Sequence, residues 1–351
     1  MSEFINELKE TTVCDKYSKE ECVGISENTY ESEYNKLIMI DSVIKYNGEV
    51  VCSKQSDIVD ITSDELKIKI KILSKSNVLT TGHNTRIEFC EDGTVVRLYF
   101  HDNKWRTATT KCIDASESYW SSRKSFDQLF WEVFDSTNVE LLDTGSTYVF
   151  ILLHVENRIV VKHNKNNLVF VARIDNKTSK EYTSDKLVNV WRPVTIKDLD
   201  LDNVDGKFWD KKRGVIIKTN GVIYKIDFSN YKVIKDIRGN VSDIRLRYFE
   251  LLSDPDQSKL SSLVNVFPEY SNIFANFCTV LDGFITYIYK LYVDSHIKHI
   301  VKVTDDNKYI KLLKGIHSQY KTTGLSISII DVQQKILSLH PNVIRSLLNM
   351  N

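Results

Sequence analysis

The stretch Phe89-Cys90-Glu91-Asp92-Gly93-Thr94-Val95-Val96-Arg97 decides how the rest of the chain is read. Ahead of it, Arg86-Ile87-Glu88-Phe89 alternates polar and apolar residues, and 94–100 is a second β-prone run. Asp-Gly between two such runs is a strong hairpin signal, because both residue types tolerate the positive φ of a tight turn. The stretch therefore predicts a β-hairpin turning at Asp92-Gly93, with Cys90 on the incoming strand.

Toward the N-terminus, 36–44 and 48–61 read as short strands joined by an Asn47-Gly48 turn. Residues 66–73 alternate Lys with Leu66, Ile68, Ile70 and Ile72, which predicts a half-buried strand with one charged face. Downstream, 101–104 is a turn into a strand from Trp105 to Thr109. Residues 126–134 place Phe126, Leu129, Phe130, Val133 and Phe134 on one face of an amphipathic helix. Strands follow over 147–155 and 168–174, and 176–205 reads as a connection with a short helix after Pro193. Residues 213–218 and 224–227 are strands joined at Gly221. Past 241 the period becomes helical. Ile273, Phe274, Phe277, Val280, Leu281, Phe284, Ile285, Ile288 and Leu291 line one side of a long helix over 271–296. Shorter helices are expected over 246–252, 259–267, 308–319 (stopped by Gly324), 331–339 and 341–348, the last with Pro341 in its first turn. The expected architecture is α+β: an acidic arm over 1–34, antiparallel sheets around a cleft over 35–240, and an all-helical domain over 241–351.

With 351 residues, 42% of them hydrophobic, the chain can bury two cores. Twelve Gly and four Pro argue against long linkers and low-complexity tracts. The net charge is zero but uneven. Residues 1–65 hold 15 acidic and 6 basic side chains, and 211–351 hold 20 basic and 12 acidic. A basic C-terminal third permits nucleic-acid binding. The six cysteines, Cys14, Cys22, Cys52, Cys90, Cys112 and Cys278, form no CxxC pair, and reduced thiols in the cytoplasm are the expectation. The charged first ten residues lack the apolar core of a signal peptide, and no apolar run is long enough to span a bilayer, so no membrane partner is expected.

Four stretches carry the chemical reading: Cys90-Glu91-Asp92-Gly93; Ile151 through Asn157-Arg158-Ile159-Val160; Arg213-Gly214-Val215-Ile216-Ile217-Lys218; and Tyr224-Lys225-Ile226-Asp227. In this order they resemble the motifs of the covalent nucleotidyltransferases, in particular the phage-type RNA ligase family and the ligase-like chains of large DNA viruses. The family's first motif is Lys-x-Asp-Gly, and its lysine falls on Cys90. The glutamate of the third motif falls on Ile151 and its proline on Val155. The glutamate of the fourth falls on Arg213, and the second lysine of the fifth on Asp227. Asp92, Gly93, Asn157, Arg158, Gly214, Lys218 and Lys225 keep the family's identities.

In that family a lysine amine attacks the α-phosphate of ATP and holds AMP, assisted by a divalent metal. Cys90 lacks the amine, and Ile151, Arg213 and Asp227 remove or invert charges that such chemistry uses. The resemblance thus implies a degenerate ligase-like protein without a catalytic residue, resident cofactor or metal, in the host cytoplasm or the virion. It would bind RNA or a viral protein. Asp92, Gly93, Arg97, Lys111, Arg158, Lys218 and Lys225 are the candidate nucleotide- or RNA-binding residues, with Arg97, Lys111, Lys218 and Lys225 contacting anions. Two alternatives stay open. One is an active ligase using ATP and Mg²⁺, with Lys111, Lys218 or Lys225 as a relocated nucleophile. The other is a structural virion component. The opposite charges of Arg213 and Asp227 predict an ion pair across the cleft, in place of a bound nucleotide. His296-x-x-His299 lacks a third metal ligand, and His154 and His163 read as ordinary polar strand positions. No dinucleotide, Walker, HExxH or Ser-His-Asp pattern appears in usable context.

Overall fold

The computed structural model describes residues 37–71, 78–82, 85–204 and 212–350. The acidic arm over 1–34, Lys36, Ile72, Leu73, Cys14 and Cys22 lie outside these residues. The described chain divides into two compact units between Asp236 and Ile237.

The first unit is built from β-strands and a few helices. Strands β1 (Leu37–Ile40), β2 (Val43–Tyr46) and β3 (Glu49–Cys52) form an antiparallel meander. Asn47 and Gly48, at φ 51° and 89°, make the expected turn. Asp41 and Ser42 also adopt positive φ, so the strand expected over 36–44 is two strands. In chain order there follow β4 (Ile58–Asp60), helix α1 (Ser63–Lys71), β5 (Val78–Thr80), β6 (Thr85–Cys90), β7 (Thr94–His101), β8 (Lys104–Ala108) and helix α2 (Phe126–Val133). The unit continues with β9 (Ser146–Leu153), β10 (Asn167–Asp175), β11 (Glu181–Tyr182), β12 (Thr195–Ile196), β13 (Asp198–Asp200), β14 (Gly214–Thr219) and β15 (Val222–Asp227). Helix α3 (Ser229–Arg238), which the apolar pattern does not announce, leads out of it.

Two five-stranded sheets dominate, ordered β11-β10-β9-β7-β8 and β12-β6-β14-β15-β4, with β13-β5 as a short extra pair. Pairing is antiparallel as expected, except that β4 runs parallel to β15. In the first sheet Val96, Leu98, Phe150, Leu152 and Phe170 pack on Leu129 and Phe130 of α2. In the second, Ile87, Val215, Ile217 and Ile226 pack on Leu66, Phe228 and Tyr231.

The hairpin expected at Asp92-Gly93 does not form. Strand β6 pairs with β14 and β12, whereas β7 pairs with β8 and β9, so residues 91–93 carry the chain from one sheet to the other. Gly93 is not at positive φ. It is needed for space: a Cβ there would stand 2.5 Å from the Leu152 carbonyl oxygen and 2.7 Å from Ile151 Cγ2.

The strand expected over 66–73 is helix α1 up to Lys71. A capping box starts it. Thr62 Oγ1 accepts from the Glu65 amide at 3.2 Å, and Glu65 Oε2 accepts from the Thr62 amide at 2.8 Å. Leu66 is buried and Ile68 exposed, the reverse of what one strand face would give. No helix follows Pro193. The backbone there is taken by sheet edges instead: Phe89 N–H donates to Val194 O at 2.9 Å and Thr81 N–H to Lys197 O at 2.7 Å.

The second unit is helical, as expected: α4 (Ile244–Leu252), α5 (Gln257–Val266), α6 (Ser271–Tyr292), α7 (Ile310–Thr323), α8 (Ile329–Leu337) and α9 (Pro341–Leu348). The apolar stripe of α6 supplies Phe277, Leu281, Phe284, Ile285 and Ile288 to a core shared with Leu313, Ile316, Val332, Ile336 and Ile344. Gly324 ends α7 at φ 69°, where an L side chain would be strained. Among the described residues, no helix is long and apolar enough to cross a membrane.

Candidate functional site

Strand register places most of the motif residues on one face of the second sheet. Gly214 lies opposite both Cys90 and Asp227, Ile216 opposite Glu88 and Lys225, and Lys218 opposite Arg86 and Ile223. Residues directly opposed in a ladder share a face. This face therefore carries Arg86, Glu88 and Cys90 on β6, Gly214, Ile216 and Lys218 on β14, and Ile223, Lys225 and Asp227 on β15. The opposite face is the apolar one packed on Leu66 and Phe228. A cavity of about 260 Å³ lies between Arg86 and Glu88 on β6 and Val171 on β10, with Asp185 and Arg192 at its margin. The face thus looks across a cleft at the first sheet.

The charges on the face neutralise one another. Arg213 forms a two-pronged pair with Asp227, Nε to Oδ1 at 2.8 Å and Nη2 to Oδ2 at 3.1 Å. The ion pair expected across the cleft thus forms between neighbouring strands of one sheet instead, since Gly214, next to Arg213, is the ladder partner of Asp227. The Arg213 guanidinium also lies 5.3 Å from the centroid of the Tyr231 ring. Burial opposes its charge most, but the hydrogen bonds it donates to Asp227 and the electrostatics of Tyr231, Asp227 and Cys90 together hold its pKa above the ordinary value. Glu88 is 3% exposed and takes two cations, Arg86 at 2.5 Å and Lys218 at 3.0 Å. Lys225 reaches Asp60 at 2.7 Å, and Lys212 pairs with buried Glu91. Glu88, Glu91, Lys212 and Tyr231 are members of this array that the motif comparison does not mark. Glu88 has a signal, a carboxylate between Ile87 and Phe89; Glu91, Lys212 and Tyr231 stand among polar neighbours that do not set them apart.

Cys90 ends β6, in the last row of the face with Gly214 and Asp227, and is 7% exposed. Burial pushes its thiol pKa up to about 12; Arg213 pulls it down, and Asp227 adds to the rise. The group is a neutral thiol at physiological pH, a poor nucleophile. Ile151 lies on β9 opposite Val95 and Val169, part of an apolar patch with Val149 and Val171.

Asp92 is not a ligand-facing group. It is 1% exposed, and its Oδ2 accepts from the amides of Val160 and Val161, both at 2.8 Å. Oδ1 accepts from Tyr231 Oη at 2.7 Å. The motif's aspartate thus ties the end of the Asn157-Arg158-Ile159-Val160 stretch to α3. His163 adds a 2.6 Å contact from Nε2 to Asp92 O, which makes it more than a polar strand position. Tyr231's pKa is raised by burial and by the Asp92 carboxylate. Gly214 is dictated by space: a Cβ there would overlap Ile226 O and stand 2.9 Å from Asp227 Cα.

Other expected contacts fall away from the face. Arg97 is buried, and its guanidinium donates to the main-chain carbonyls of Ser42, Ser53 and Thr109. It joins β7 to the meander and does not meet an external anion. Lys111 lies in an exposed loop after β8. Arg158 is half-buried and turns back to donate to Val160 O at 3.0 Å. Asn157 donates to Thr94 Oγ1 at 3.0 Å.

His154, expected as an ordinary polar position, is buried, and burial lowers its pKa. With Glu132 and Glu156 it places three ligand-type atoms within 4.8 Å. Lys124 Nζ already lies 2.9 Å from Glu132 and 2.8 Å from Glu156, where a cation would be. His296 and His299 do not converge: His296 Nδ1 faces Ser295 Oγ and His299 Nδ1 faces Ser295 O.

A metal-bound ATP would call for free carboxylates and a free amine on the charged face. Its carboxylates, Glu88 and Asp227, are engaged by cations, its lysines by carboxylates, and position 151 is an alkyl chain. The donor set does not fit that group.

No family model matches the chain. The "Immediate-early protein ICP-46 homolog" of Invertebrate iridescent virus 3 is 24% identical over 299 residues, covering 80% of this chain; the chain spans 62% of that relative's length. An "RNA ligase" of Rhodothermus phage RM378 is 30% identical over 92 residues, 23% of this chain and 21% of that one. Among solved structures, "Archaeal ATP-dependent RNA ligase - form 2" is similar at a TM-score of 0.43 and 11% identity, covering 76% of this chain and 73% of that one.

Proposed function

We propose that this chain is an RNA-ligase-like protein that no longer transfers AMP and that acts by binding RNA or a viral protein partner. One observation carries the reading. Where the resemblance expects a nucleotide's phosphates between a carboxylate and a lysine, Arg213 and Asp227 close on each other with inverted charges. The neutral Cys90 thiol beside them supports it, as does the engagement of Lys218 and Lys225 by Glu88 and Asp60. RNA is the ligand that the excess of 20 basic over 12 acidic residues in 211–351 favours.

Incubation with α-labelled ATP and Mg²⁺ or Mn²⁺, followed by a denaturing gel, is expected to leave the protein unlabelled. A covalently labelled band overturns the loss of AMP transfer. RNA retention is expected to fall steeply as salt is raised, because phosphate contacts release counterions. Unchanged mobility of several RNAs at low salt removes RNA and leaves a protein as the partner.

A further inference from the structure

In the helical unit four aromatic rings form a continuous run from core to surface. Tyr292, 1% exposed, ends α6. Its ring lies 5.4 Å from that of His296, with 19° between planes. His296 lies 4.8 Å from His317, and His317 lies 5.7 Å from Tyr320 with 25° between planes. Tyr320 is 38% exposed. The inner end is held: Tyr292 Oη is 3.5 Å from His317 Nδ1, and Ser295 Oγ is 2.8 Å from His296 Nδ1. His296 belongs to a π-helical turn, Val293–Ile297, that widens the end of α6. Such turns are uncommon and are frequent at functional sites.

The surroundings are cationic. Lys321 follows Tyr320 on α7, and Lys298 follows the π turn with its side chain 59% exposed. Asp294, 3.5 Å from Lys298, is the facing carboxylate. Burial first, then the charges of His317, His299 and Lys321, lowers the pKa of His296, and burial and Lys321 lower that of His317. Both imidazoles are therefore neutral at physiological pH and present π-faces. A run that served packing alone would end under cover, as Ile288 and Leu313 do in the same core. This one ends on an exposed ring that Lys321 follows in the chain. That combination suits unpaired nucleobases, since every base offers a π-face and every linkage a phosphate.

We propose that the Tyr292-His296-His317-Tyr320 run is a stacking platform for a base of single-stranded RNA, with Lys298 and Lys321 toward the flanking phosphates. This rests on the RNA-binding reading above and assigns it a place in the helical unit. The test measures binding of a single-stranded oligo(A) RNA by the full chain, together with NMR of the histidine rings. Tyr320→Ala is expected to weaken binding about 10-fold, whereas Tyr320→Phe, which keeps the ring, retains native affinity. Lys321→Ala is expected to lower the salt dependence by about one phosphate contact. The ring resonances of His296 and His317 are expected to shift on RNA addition in native protein. Native RNA binding that Tyr320→Ala leaves unchanged overturns the platform while RNA binding itself stands. No RNA binding and no ring shifts in native protein overturn both.

Discussion

Two sets of positions that the ligase resemblance marks differ in what they do. Those it ties to chemistry hold Cys90, Arg213 and Asp227 at the charged face of the second sheet and Ile151 on the first sheet. Asp92 and Gly93, at the crossing between the sheets, and Gly214, the first residue of β14, match its motifs. The structure gives each of these a reason independent of any nucleotide. Asp92 satisfies two amides and a phenol in a buried place, Gly93 lets β9 approach, and Gly214 lets β15 approach. The Asp-Gly pair therefore serves the crossing between two sheets and by itself says nothing about a reaction.

That contrast can be broken experimentally. The largest effect is expected at the positions that let backbones approach or satisfy them. Gly214→Ala forces a methyl into the Ile226 carbonyl, with backbone on every side and no flexible group to yield. It is expected to cost about 4 kcal/mol or more, or to abolish folding, as measured by denaturant unfolding. Asp92→Ala comes next. It leaves two buried amides and the Tyr231 hydroxyl without their acceptor and is expected to cost about 3 kcal/mol or more. Native-like stability of either variant would mean that the retained motif residues serve something other than the fold.

On the face itself the effects are expected to be smaller and non-additive. Arg213→Ala strands Asp227, whose side chain is mostly buried, and is expected to cost about 2 kcal/mol. Combining Arg213→Met with Asp227→Leu removes both charges and is expected to cost less than either change alone. Additive losses would show that the two residues act separately. The smallest signal is in pH. Burial keeps His154 neutral in the folded chain, while the unfolded chain takes up a proton below about pH 6.5. The unfolded state then binds more protons, so stability falls as pH drops below that value, by at most about 1.4 kcal/mol per pH unit from this group. His154→Gln is expected to flatten the slope, and an unchanged slope assigns it to other groups.

Much of this arrangement is legible in the sequence, for identifiable reasons. Alternation gave the paths of β6, β7, β9, β10, β14 and β15, because each buries one or both faces. The pair Arg213–Asp227 was legible because both charges are inverted at motif positions where a glutamate and a lysine are expected. The Asp92-Gly93 turn misled because Asp-Gly advertises positive φ, whereas here the glycine answers to crowding from a strand some sixty residues later. Residues 66–71 misled because an alternating Lys/Ile run fits two periods; the Thr62-to-Glu65 capping box was the arbiter. Arg97 looked like an anion contact because its acceptors, the carbonyls of Ser42, Ser53 and Thr109, are close only after folding.

On the function we propose, the self-neutralising charges of the face stand in place of a nucleotide site, and reversing the Arg213–Asp227 pair is expected to change nucleotide binding. The most direct measurement is equilibrium ATP binding, with Mg²⁺, to the native chain and to the double variant Arg213→Glu with Asp227→Lys, which keeps an ion pair but reverses it. The native chain is expected not to saturate up to about 1 mM, less than about 4 kcal/mol of binding, and the reversed pair to bind more tightly. A native chain that binds ATP at micromolar concentration, and loses it when the pair is reversed, contradicts the account.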